Sequence, residues 1–115
     1  MDIRFPLFCL ARQLTESASS GGCWFKGVYV REASIEGRDA LCVPLFSSRE
    51  LVTAYAATRP FLSAAYIVEL GHKLHVEFML ADAHRASATH VILNPGAGMA
   101  IVDLNGLLAV LDAIE

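Results

Sequence analysis

The apolar residues of this chain change their spacing at Phe46, and that change constrains the fold more than any other feature. Before it, apolar positions come in short runs rich in aromatic and β-branched residues; after it, most recur at helical intervals. Residues 3–10 are apolar and too short for a helix of ordinary length, which predicts a strand. Two further strands are read at residues 24–31, with Phe25, Val28, Tyr29 and Val30, and at residues 40–46, with Leu41, Val43, Leu45 and Phe46. Residues 15–22 are small, polar and glycine-terminated and read as a loop. The connection at residues 32–39 holds Glu36-Gly37-Arg38-Asp39, whose glycine can take the positive φ of a hairpin turn.

Ser47-Ser48-Arg49-Glu50 then shows capping-box spacing, so Ser47 is expected to cap a helix over residues 48–57. On that reading Ser47→Ala costs about 1 kcal/mol and Ser48→Ala much less. Leu51, Val52, Tyr55 and Ala56 share one face of this helix, and Pro60 ends it near Thr58 by disfavouring helical backbone at Arg59. Residues 61–70 read as a strand. Residues 72–87 form the longest helical candidate, with one stripe of Val76, Met79, Leu80, Ala83 and Ala86 and an opposite stripe of Leu74, Phe78 and Ala81. Short strands follow at residues 89–93 and 99–102, separated by the Asn94-Pro95-Gly96 turn. Asp103 or Asn105 caps a closing helix carrying Leu104, Leu107, Leu108, Leu111 and Ile114. This order predicts an α+β fold: a mixed β-sheet of about five to six strands with three helices packed on it, one domain over residues 1–115.

A chain of 115 residues can bury a core without disulfide or metal staples. The formal charge of −3 and only two lysines, Lys26 and Lys73, leave no basic footprint for nucleic acid or anionic lipid. No apolar run exceeds five residues, too short for a transmembrane helix. Asp2 and Pro6 spoil a signal-peptide reading of the first residues, and three cysteines, an odd number, suit reduced thiols, so a cytoplasmic location is expected. At 55% hydrophobic and 18% charged, against a usual charged share of about 25%, the chain is apolar for a soluble monomer. A homo-oligomer, such as a homodimer, or a protein partner is expected.

The run Leu41-Cys42-Val43-Pro44-Leu45-Phe46-Ser47-Ser48-Arg49-Glu50-Leu51 and the later Val91-Ile92-Leu93-Asn94-Pro95-Gly96 carry a likeness to a known family. Together they resemble the N-terminal domain of the SseB (enhanced serine sensitivity) family, in which a PVFTS-type junction precedes a helix and an LNPG turn follows later. The resemblance spans roughly residue 28 to the last residue, with Leu45 in place of the usual Val and Ser47 in place of the usual Thr. The name-giving members carry a second, C-terminal domain that these 115 residues do not include. The resemblance implies a non-catalytic binding or protein-interaction module and supplies no catalytic or cofactor-binding residues.

Three constellations invite a chemical reading. Gly21-Gly22-Cys23-Trp24 is similar to the surroundings of a papain-type nucleophile, but Phe25 and its successors read as a strand, so no helix dipole would activate Cys23, which is read as inert. His72 and His75, with His84, His90, Glu69 and Glu77, have partial metal-site spacing, yet His84 projects opposite His75 and solvated helix surface is the simpler reading. Gly96-Ala97-Gly98 lacks a Walker lysine and reads as a turn, though the Ala97 and Gly98 amides can form a small anion nest. No catalytic residue, metal or cofactor is therefore assigned. The alternative to an interaction module is a small-metabolite-binding or enzymatic domain with its ligand at the turn of Asn94, Gly96, Ala97 and Gly98. The stripe of Leu74, Phe78 and Ala81 is the expected interface.

Overall fold

The computed structural model describes residues 3–14, 25–96 and 100–114. The first elements are β1 (Leu7–Leu14), β2 (Phe25–Val28), β3 (Arg31–Ile35) and β4 (Arg38–Leu45). They are followed by α1 (Arg49–Ala57), a 3-10 turn (Pro60–Leu62), β5 (Tyr66–Leu70), α2 (Lys73–Arg85), β6 (His90–Leu93), β7 (Ala100–Asp103) and α3 (Leu104–Asp112). The α+β class is as expected, but among the described residues the strands number seven and lie in two sheets, β2-β1-β5 and β3-β4-β6-β7. The additional strand comes from residues read as a connection. Glu36 (φ 52°) and Gly37 (φ 77°) make a two-residue turn, so Glu32 to Ile35 pair with β4 instead of looping out. Ile35 is the one large apolar residue among them, so the alternation of Ala33 and Ile35 with Glu32 and Ser34 is a weak hydrophobic pattern.

Among the described residues the two sheets meet at one bridge pair. Phe8 and Phe46 exchange backbone hydrogen bonds of 2.8 Å in both directions. Beyond that pair β1 and β4 diverge, and the β2–β3 segment fills the gap, its first half on β1 and its second on β4. Tyr29 continues the first half by donating its N–H to the Leu10 carbonyl at 2.7 Å. Backbone groups alternate between strand edges, so Pro44 faces the same edge as Phe46, past the last β3 pair at Cys42, where a missing N–H breaks no ladder bond.

Strand periodicity puts successive β1 side chains on opposite faces, and both faces are covered. Leu7, Cys9 and Ala11 join Phe25, Val43, Leu45, Val68 and Val91 in a core closed by α2 and α3. Phe8 and Leu10 join Phe46, Val52, Tyr55 and Leu62 in a second cluster beneath α1 and the 3-10 turn. Of the expected α2 stripe, Val76, Met79, Leu80 and Ala83 are buried; Ala86 falls past the end of the helix and is exposed. Gly27 takes φ 69°, which a side chain would strain, and the next amide, Val28 N–H, donates to Asp82 Oδ2 of α2 at 2.8 Å. Among the described residues no helix is long and apolar enough to cross a membrane.

The helix start departs from expectation by one residue. Ser48 is the N-cap of α1, its hydroxyl accepting the Leu51 N–H at 3.2 Å, while the Ser47 N–H is taken by Asn94 Oδ1 at 2.9 Å. With Ser48 as cap, the third helical position is Leu51, so Glu50 closes no capping box and acts only as a first-turn acid. Ser48→Ala should therefore cost about 1 kcal/mol in urea unfolding. Ser47→Ala should cost less, because its exposed hydroxyl only accepts one bond from Asn94. Equal losses at both positions would contradict this assignment.

Candidate functional site

Asn94 does the work of a clamp. With φ at 50° it turns the chain out of β6, donates its N–H to the Leu45 carbonyl at 2.8 Å, and grips Ser47 through both ends of its amide, at 2.9 and 3.1 Å. Both ends of the asparagine amide are thus engaged by Ser47. What it accomplishes is to lay Pro95 and Gly96 beside α1, where they wall a cleft of about 380 Å³ with Arg31, Leu51, Ala54, Tyr55, Thr58 and Arg59. Of the four turn residues expected to meet a ligand, Asn94 braces the cleft and Gly96 lines it; Ala97 and Gly98 lie outside the described residues.

Tyr55 organises the charged side of this cleft. Buried on α1 against Phe46, with ring centroids 5.1 Å apart, it receives a hydrogen bond from Arg31 Nη1 on its hydroxyl at 3.3 Å. The Arg59 guanidinium lies 3.6 Å from the centre of the Tyr55 ring. Arg59 Nη1 also donates to the Tyr55 carbonyl at 3.2 Å and to Thr58 Oγ1 at 2.9 Å, so it satisfies the end of α1, where the helix dipole favours a cation. Pro60 sets this up: it holds Arg59 extended, at φ −130° and ψ 93°, just past the helix. The Tyr29 ring lies beside that of Tyr55, centroids 6.4 Å apart. The Tyr29 hydroxyl ionises later than usual, chiefly through burial and then through Tyr55, against a lesser pull from Arg31 and Arg59.

Arg49 pairs with Glu69 and Arg85 with Asp82, whereas Arg31 and Arg59 have no carboxylate partner among the described residues. Each uses one guanidinium nitrogen on protein and keeps further N–H groups for another acceptor. Two such forks suit a carboxylate or phosphate. A second cleft of about 320 Å³ lies across the clamp, among Arg4, Phe5, Leu45, Ser47, Leu93 and Asn94, and is largely apolar.

The remaining candidates do not converge. The His72 and His75 rings stack at 3.7 Å, but His75 Nδ1 accepts the Gly71 N–H at 2.9 Å, and His90 Nδ1 is engaged by Thr89 Oγ1. Among the described residues no three His, Cys, Asp or Glu side chains gather as metal ligands. Cys23 lies outside the described residues, while Cys9 and Cys42 are buried, the Cys42 pKa raised mainly by burial. On α2, Leu74 is 51% exposed, Phe78 half-buried and Ala81 exposed, so the expected interface stripe does reach the surface.

The arginines and tyrosines escaped the sequence reading. Tyr55 and Arg59, four apart at a helix end before Pro60, were the available signal for half of the cluster; nothing local marks Tyr29 or Arg31. Compared with known proteins, the chain matches no family model and no curated protein sequence.

The histidine pair gives a pH dependence. Burial, and then the charge of His72, lowers the His75 pKa below its ordinary value of about 6.5, so the unfolded chain takes up the proton first. The stabilisation is complete above about pH 6.5 and is lost as pH falls toward the folded value. Urea unfolding should show a loss of stability below pH 6.5 that is smaller in His75→Asn. An identical slope in both proteins would contradict this.

Proposed function

We propose that this chain is a binding module of the SseB N-terminal type, without catalysis of its own, and that it recognises an anionic group in the cleft between β3, α1 and the Asn94–Gly96 turn. The reading favours the ligand-at-the-turn alternative over an interaction surface alone. One observation carries it: Arg31 and Arg59, in a chain of net charge −3, are held against one tyrosine with no carboxylate partner among the described residues. Holding two guanidinium groups together is electrostatically unfavourable, and Tyr55 offsets part of that cost through its ring and its hydroxyl. An anion arriving in the cleft relieves the rest and gains bonds in a partly dry setting, where charged hydrogen bonds are stronger than in water.

The test is a thermal-shift comparison of acetate and inorganic phosphate against chloride at constant ionic strength. Either anion should raise Tm in the wild type by mass action. Arg31→Gln and Arg59→Gln should each weaken the apparent affinity by roughly tenfold or more, the value of one charged hydrogen bond. An anion effect of equal size in the double variant, or none in the wild type, would overturn the reading.

A further inference from the structure

The arginine cleft has an apolar neighbour. A groove of about 470 Å³ runs between the β1–β2 pair and the 3-10 turn, lined by Tyr29, Val30, Phe61, Leu62, Ala64 and Ala65 among others. Tyr29 lines the groove and stands next to Tyr55, which lines the cleft. On one side the Tyr29 ring lies 6.4 Å from that of Tyr55 and on the other 6.1 Å from that of Phe61. Val30 precedes Arg31, and Pro60 alone separates Arg59 from Phe61, so the lining passes from cationic to apolar within one or two residues on both strands of the boundary. Phe61 is 70% exposed, and among the described residues its ring meets one other aromatic ring, that of Tyr29.

The geometry points to one ligand across both spaces: a free carboxylic acid with an apolar tail of medium length, its carboxylate between Arg31 and Arg59 and its tail over Tyr29 into the Phe61 groove. This rests on the anion-binding reading and specifies the ligand class. The charge of the arginines at one end and the apolar lining at the other are complementary to such an amphipathic anion, and a groove of this size matches a small molecule. Planar carboxylates also match the guanidinium fork in pairs of parallel bonds. Arg12 also lines the groove and offers a competing position for the head.

The experiment is a calorimetric titration with octanoate, below its micelle concentration, beside acetate, octanol and an acetylated peptide ending in leucine. Each fully buried methylene is worth about fourfold in affinity, and an open groove buries only part of each, so octanoate should bind roughly thirtyfold tighter than acetate. Octanol should bind far more weakly than octanoate. Phe61→Ser, at an exposed position that leaves the core intact, should reduce octanoate affinity and spare acetate, whereas Arg59→Gln should reduce both. Equal affinities for octanoate and acetate, with both lost on Arg59→Gln, would overturn the tail site and leave the anion site standing. Octanoate binding that ignores Arg31→Gln and Arg59→Gln but falls with Arg12→Gln would overturn both, as would no binding of either anion. Binding of the peptide without octanoate would overturn the free-acid assignment.

Discussion

The reciprocal backbone bonds between Phe8 and Phe46 are the constraint on which the rest of the architecture hangs. Two strands that pair for a single residue and then separate leave an open wedge of unpaired backbone, which is costly if buried. The β2–β3 segment fills that wedge, bonding first to β1 and then to β4. Phe8 and Phe46 also place their own rings in the cluster beneath α1, so the seam between the sheets is fixed by hydrogen bonds along the backbone and by packing on one face.

The charged cleft is a consequence of this seam. The change of partner within the β2–β3 segment occurs at Tyr29 and Val30, so Tyr29 remains beside β1 while Arg31 begins the pairing with β4. Immediately after Phe46, Ser48 starts α1, and the short distance from seam to helix brings Val52 and Tyr55 down onto Phe8, Leu10 and Phe46. Tyr55 thereby meets Arg31 from β3 and Arg59 from the end of its own helix. The Asn94 clamp on Ser47 closes the third wall. Three segments distant in sequence are gathered by the same junction that joins the sheets.

Much of this was legible in the sequence where local chemistry decides. The Glu36-Gly37 turn, the stop imposed by Pro60 and the buried stripe of Val76, Met79, Leu80 and Ala83 follow from φ preferences and helical period. What was missed depends on long-range pairing. Residues 32–35 carry only a short, weak alternation, Ala33 and Ile35 against Glu32 and Ser34, and become a strand where β4 lies alongside. Ser47 has the sequence of a cap, but Asn94, from 47 positions away, takes its N–H and shifts the cap to Ser48. Of the site, Asn94 and Gly96 could be singled out from turn chemistry; Tyr29 and Arg31 could not, since their proximity to Arg59 exists only in the fold.

The most direct measurement of the central claim, that the sheet junction builds an anion site, is an amide NMR titration of the intact chain with acetate. Concentration-dependent shifts should centre on Arg31, Tyr55, Thr58, Arg59 and Gly96, the residues that wall the cleft. Shifts centred instead on Arg4, Phe5 and Leu93 across the Asn94 clamp, or no saturable shifts at all, would contradict it.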